Sequence, residues 1–225
     1  MFTHLDIQFA EIETTYVDGN RYYPSPSTGS LYPSITSITS HYNRQVFKDW
    51  REKVGNAEAD RIIKESTTRG TSFHKSAQDY LENKTVEHES PEIEFMFDAA
   101  KPYLDKINNI HAIEKCLYSD VLGIAGRVDC IAEYEGELAI IDFKTSKKIK
   151  PEAWIQQYFV QEVAYACMYY EMTQQVVKKL ITIMVTPDGE IKVFDKRDKK
   201  EYIILLKKYI KQFVQDKLAE YGSSK

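Results

Sequence analysis

Apolar residues recur at a helical interval through residues 34–106, fall into strand-like runs over 111–145, and return to helical spacing after Pro151. Ser34, whose hydroxyl suits a helix N-cap, opens the first helical stretch. Helices are expected at 44–53 and 57–65, parted at Gly55-Asn56, and at 71–83, where Phe73, Ala77, Tyr80 and Leu81 form a stripe. The acidic segment 85–90 reads as a loop, and Pro91 at a first helical position starts a helix over 92–106. Strands follow at 111–119, 124–134 and 137–145. A helix over 152–172 aligns Ile155, Phe159, Val163, Ala166 and Tyr170, and the unbroken apolar run 180–186 suits a strand covered on both faces. Pro187-Asp188-Gly189-Glu190 turns that strand into 191–194, and a helix over 199–221 ends the chain, with 222–225 frayed. Ahead of all this, 9–23 forms a hairpin around Val17-Asp18-Gly19-Asn20, followed by a Pro- and Ser-rich loop over 23–30.

From residue 92 onward the order is helix, three antiparallel strands, helix, strand, which is an α/β core behind a helical N-terminal layer. We read one domain over 1–225: hairpin and loop (1–33), helical layer (34–106), catalytic αβ core (107–195) and C-terminal helix (196–225). The 152–172 helix serves as a right-handed crossover that sets 180–186 parallel to 137–145.

The strand register concentrates charge. Glu135-Gly136 makes a two-residue turn, so Tyr134 faces Glu137, Asp129 faces Asp142 and Arg127 faces Lys144. Strand side chains alternate, so all four are expected on one face. An even turn between the first two strands brings Glu114 opposite Asp129. Three carboxylates about 5 Å apart repel by about 3 kcal/mol per neighbouring pair at an effective dielectric near 20. A divalent cation removes that cost. Oxygen donors suit Mg²⁺ or Mn²⁺, and Lys144 beside them can orient or deprotonate a water and offset charge on a phosphoryl transition state. An isolated Asp-x-Lys is most often a solvated surface pair, but the apolar run Leu138-Ala139-Ile140-Ile141 places this one at the end of a buried strand.

Composition narrows the classes. The chain has 225 residues, 43% hydrophobic and 28% charged, ordinary for one globular domain. Its net charge of −4 excludes a wholly basic nucleic-acid surface, so any grip on phosphates is local. Lys144, Lys147, Lys148 and Lys150 form one basic group beside the acids, and a second lies at 196–211. Cys116, Cys130 and Cys167 lack metal or disulfide spacing and read as buried thiols. Without a long apolar run or a basic leader, the expectation is a cytoplasmic protein with no membrane partner.

Glu114, Gly126-Arg127-Val128-Asp129 and Ile141-Asp142-Phe143-Lys144-Thr145-Ser146 together resemble the signature of the PD-(D/E)XK nucleases in their RecB-like branch, most closely the part holding phage exonucleases and the mitochondrial genome maintenance exonuclease. Arg69-Gly70-Thr71-Ser72-Phe73-His74 resembles the branch's histidine helix, Gln161-Glu162-Val163-Ala164-Tyr165 its Gln-x-x-x-Tyr helix, and Pro33–Ile38 with Trp50-Arg51 its N-terminal helices. The likeness covers about 32–186; Val128 replaces the proline of the family's name, as is usual in this branch.

The resemblance implies a restriction-endonuclease-like core, a mixed sheet flanked by helices. It implies that Asp129, Asp142, His74 and the Phe143 carbonyl hold the metal, that Lys144 serves the nucleophile, and that Glu114 is a supporting acid. Gln161 would lie near Lys144 or the scissile phosphate, and Tyr165 would meet DNA. Further expected nucleic-acid contacts are Arg69, Arg127, Thr145, Ser146, Lys147 and Lys148. Iron-sulfur members need four cysteines, so no cluster is expected here. The implied activity is Mg²⁺-dependent DNA hydrolysis, exonucleolytic on a single strand or free end. The alternatives are a structure-specific or duplex endonuclease, or a non-catalytic nucleic-acid-binding module of the same fold.

Overall fold

The computed structural model describes residues 1–223. Thr15–Val17 (β1), Asn20–Pro24 (β2) and Leu31–Pro33 (β3) form a small antiparallel sheet. Three helices follow, Ile35–Tyr42 (α1), Arg44–Val54 (α2) and Asn56–Leu81 (α3), then Pro91–Leu104 (α4). The central sheet runs in the order Ile107–Ser119 (β4), Ile124–Tyr134 (β5), Glu137–Thr145 (β6), Lys179–Val185 (β7) and Ile191–Lys196 (β8). Gln156–Thr173 (α5) crosses between β6 and β7, which pair in parallel, and Lys200–Ser223 (α6) ends the described chain. Residues 224–225 of the expected frayed end lie outside the described residues. The sheet is thus mixed and covered on both faces, the α/β arrangement expected. One core layer joins it to α1, α5 and α6, the other to α3 and α4.

Three elements differ from expectation. The helices foreseen at 57–65 and 71–83 are one helix, α3, which runs through Gly70. A single glycine costs about 1 kcal/mol in a helix, too little to stop one whose later turns bury Phe73, Ala77 and Leu81. β3 was not foreseen; as an edge strand it tolerates the proline at its end. β4 starts at Ile107, because Ile107 and Asn108 pair with Tyr134 and Glu133 before an irregularity at Asn109, whose φ is 46°.

The register around the acids follows the turns. Glu135 and Gly136 both have positive φ, as a type I′ hairpin requires, and Tyr134 pairs with Glu137. Ile113↔Cys130 and Lys115↔Val128 bracket Glu114 and Asp129, which therefore stand opposite one another. The side-chain alternation does not survive this point. Ile113 and Cys130 pack under α3 and α4, whereas Val128 and Leu117 pack under α5. Both strands switch faces together, with Glu114 held at φ 50°. Arg127 consequently leaves the cluster: it is exposed, and its guanidinium donates to the Glu114 carbonyl at 3.4 Å instead of facing Lys144.

Gly126 is where α5 comes closest to β5. A Cβ there would meet Tyr165 Cε1 at 2.9 Å and Ile35 Cγ2 at 3.0 Å, both in fully packed side chains. Gly126→Ala is expected to destabilise the fold by about 1–3 kcal/mol through overpacking, lowering Tm by several degrees in a thermal melt. An unchanged Tm would show that the contact yields freely.

Candidate active site

The site forms where β5 and β6 part. Their ladder ends at Cys130↔Ile141, and one residue further on Asp129 Oδ2 accepts the Phe143 N–H at 2.9 Å. His74 reaches this point from α3. Its Nε2 lies 2.7 Å from the Phe143 carbonyl oxygen and its Nδ1 3.6 Å from Asp129 Oδ2. Donation from Nε2 to the carbonyl leaves the Nδ1 lone pair turned toward Asp129, the tautomer that a metal-binding histidine adopts. Glu114 completes the group: one ligand atom from each of His74, Glu114 and Asp129 lies within 4.8 Å of the others.

Asp142 approaches from the α5 side and is 1% exposed. Its Oδ2 is held by the Lys144 ammonium, and no other group among the described residues hydrogen-bonds its carboxylate. Burial pushes its pKa up to about 6 against the pull of Lys144, with Asp129 adding to the rise. Glu114 is pushed up to about 7, first by burial and then by Asp129. Lys144 is half-buried; its desolvation favours the neutral amine, but the Asp142 and Asp129 charges outweigh that and push its pKa up.

Glu162 is the residue that sequence reasoning passed over. It is fully buried on α5; Thr182, which pairs with Asp142 across β6 and β7, donates to its Oε1, and its Oε2 has no partner. Burial and then the Asp142 charge raise its pKa well above the ordinary carboxyl value. The sequence held a signal: 162 falls on the same helical stripe as Ile155, Phe159 and Ala166, and an acid on an apolar stripe demands a partner.

The structure separates the remaining expected residues. Gln161 donates to the Tyr165 hydroxyl at 3.2 Å and lines an open cleft, while the Tyr158 ring centroid lies 5.0 Å from Lys144 Nζ. Tyr165, expected to face DNA, points into the protein instead. It is buried, and its hydroxyl donates to the Arg127 carbonyl at 2.7 Å, which braces β5 behind the acids. Ser146 is also buried, its N–H donated to Val185. Thr145 is half-buried, and Lys147 and Lys148 are exposed, with Lys147 Nζ 3.9 Å from Glu65. Arg69 is 9% exposed and lines a cavity of about 430 Å³ with Lys64, Thr68 and Ser72, its Nε without a partner.

Acids gathered without donors are unstable as anions and suited to a cation. His74, Glu114 and Asp129 offer one nitrogen and several hard oxygens, and Asp142, whose Oδ2 is held by Lys144 and whose Oδ1 has no partner, is close enough for its charge to be felt by Asp129. That donor set fits Mg²⁺ or Mn²⁺. One lone pair of the Phe143 carbonyl is already engaged by His74.

Residues 94–221 match the family model described as the PD-(D/E)XK nuclease superfamily. The mouse mitochondrial genome maintenance exonuclease 1 is 32% identical over 137 residues, 56% of this chain and 40% of that protein. The human protein of the same name is 29% identical over 154 residues, 62% of this chain and 44% of its own length, so the chain spans less than half of these relatives. A crystal structure of a putative exonuclease from Eubacterium rectale covers 83% of this chain and 69% of its own at 12% identity, with a TM-score of 0.47. Among the described residues no helix is long and apolar enough to cross a membrane. With more than half of its length matched by the family model, and the family's acids and lysine converging where β5 and β6 divide, the chain belongs to the PD-(D/E)XK nuclease superfamily.

Proposed function

We propose that the protein is a cytoplasmic, metal-dependent deoxyribonuclease that cuts phosphodiester bonds from an end of a single strand. The observation that carries this reading is the pair of buried Asp142 and half-buried Lys144 set beside the His74, Glu114 and Asp129 cluster. A binding platform gains nothing from carboxylates that repel phosphate. The exonucleolytic preference follows the curated relatives, whose names describe exonucleases.

Asp129, Asp142 and His74 would hold the Mg²⁺ or Mn²⁺, with Glu114 as the flexible fourth donor. Bound there, the ion supplies Lewis-acid polarisation of the phosphoryl oxygen and lowers the pKa of water. The chain's own residues do the rest. Lys144, whose pKa the Asp142 and Asp129 charges push up, would donate to a non-bridging oxygen and offset its charge, or orient the attacking water. Asp129, fixed by the Phe143 N–H, sets the carboxylate geometry. Glu162 lies behind Asp142, where burial and the Asp142 charge disfavour its ionised form. Arg69, with an unpartnered Nε, and the exposed Lys147 and Lys148 are the phosphate contacts flanking the cut.

Two predictions test this. Labelled single- and double-stranded DNA should be cut with Mg²⁺, not with EDTA, and faster as the single strand. Lys144→Ala should lose at least about a hundredfold in kcat while retaining a cooperative melt. Cutting in EDTA, or by Lys144→Ala at the wild-type rate, would contradict the reading. The second prediction concerns stability. Burial, and then the Asp129 charge, push the Glu114 carboxyl up to about 7 in the folded protein, from an ordinary value of 4.5. Its stabilising contribution is therefore complete below about pH 4.5 and lost as pH rises through about 7. In EDTA, Tm should fall over that window more steeply for wild type than for Glu114→Gln, and the Tm gain on adding Mg²⁺ should grow with pH. Parallel pH profiles for the two proteins would refute it.

A further inference from the structure

Beside Lys144 lies a cleft of about 500 Å³ between α1, α2 and α5, lined by Asn43, Arg44, Phe47, Gln157, Tyr158 and Gln161 among others, with no carboxylate in its lining. Two aromatic rings, three aliphatic hydroxyls on α1 and three amides are the chemistry that receives a base. We infer that this cleft is a subsite for one unpaired nucleobase of the DNA strand, stacked on Phe47 and held at its edge by Asn43 and Gln157. This rests on the nuclease reading above and deepens it, because a paired base cannot present its face to a ring.

Three observations converge. The cleft is continuous with the active site: Tyr158 and Gln161 form its inner wall, and the Tyr158 ring is also the ring nearest Lys144 Nζ, at 5.0 Å. Next, α2 buries none of its residues, yet it displays Val46 (69% exposed) and Phe47 (48% exposed) on an amphipathic helix. A helix that leaves its apolar face open beside a catalytic centre has that face for a ligand. Finally, Arg44 is already engaged, donating to the His41 carbonyl at 2.8 Å and to Asp216 at 2.6 Å. Its charge is offset, so the cleft binds by stacking and not by phosphate attraction.

That distinction makes the inference testable. Trp50 lies 5.5 Å from Phe47, ring centroid to centroid, and reports on the cleft once the other tryptophan is removed by Trp154→Phe. With Ca²⁺ in place of Mg²⁺ to hold the strand intact, oligothymidylate should quench Trp50. A single abasic residue walked along the strand should abolish the quench at one position counted from the cut. Phe47→Ala should weaken binding of the intact strand about five- to a hundredfold, by the same factor at low and high NaCl, and should make binding indifferent to the abasic residue. Phe47→Tyr should restore both. Since α2 buries nothing, Phe47→Ala should melt as wild type does. If wild type binds and cuts DNA but Phe47→Ala binds equally tightly, or the abasic penalty is the same in both proteins, the subsite is refuted and the nuclease reading stands. If wild type neither binds nor cuts DNA, both fall.

Discussion

Asp142 and Glu162 share a buried pocket with one protonated lysine between them and solvent, and Asp129 stands at its edge. Taking each ion out of water costs several kcal/mol even after relaxation. The fold tolerates the arrangement by giving Glu162 a hydroxyl partner in Thr182 and an environment that disfavours its ionised form, by pairing Asp142 with Lys144, and by giving Asp129 a backbone donor. What remains uncompensated is negative charge at a place open enough for a small cation. Removing Lys144 leaves the buried Asp142 charge unmet, whereas removing one of the acids relieves the repulsion among them.

The backbone makes this possible by breaking its own regularity. Were β4 and β5 to alternate without interruption, Asp129 and Arg127 would share a face and neutralise each other. The simultaneous change of face at Glu114 and Asp129 sends Arg127 to solvent and turns the two acids toward His74. Glu114 is held in left-handed backbone, a conformation that costs a non-glycine residue about 1–3 kcal/mol. Tyr165 and Gly126 brace the strand from behind, so the strained segment is fixed by packing on one side and faces ligand space on the other.

Much of this was legible in the chain. The Glu135-Gly136 turn set the β5–β6 register through Cys130↔Ile141, and the spacing of β4 set Glu114 against Asp129. Both are consequences of turn length and period-two geometry, which short stretches of sequence encode locally. The change of face at Asp129 was not legible, because it depends on which helix packs under each strand segment. The burial of Tyr165 and Ser146 escaped for the same reason: a tyrosine on a Gln-x-x-x-Tyr helix can face a ligand or a strand, and only the close approach at Gly126 decides. The continuity of α3 through Gly70 was missed because a glycine's local cost was weighed without the burial that offsets it. Glu162 was visible as a pattern violation, an acid on an apolar stripe, and that is the signal a second reading of such a sequence should seek.

The most direct test is crystallographic. Crystals soaked with Mn²⁺ should show one anomalous peak about 2.0–2.2 Å from carboxylate oxygens of both Asp129 and Asp142, with Lys144 turned from Asp142 toward the ligand space. No peak at saturating Mn²⁺, or a peak elsewhere with Asp142 still paired to Lys144 alone, would contradict the claim that these acids are assembled for a shared cation.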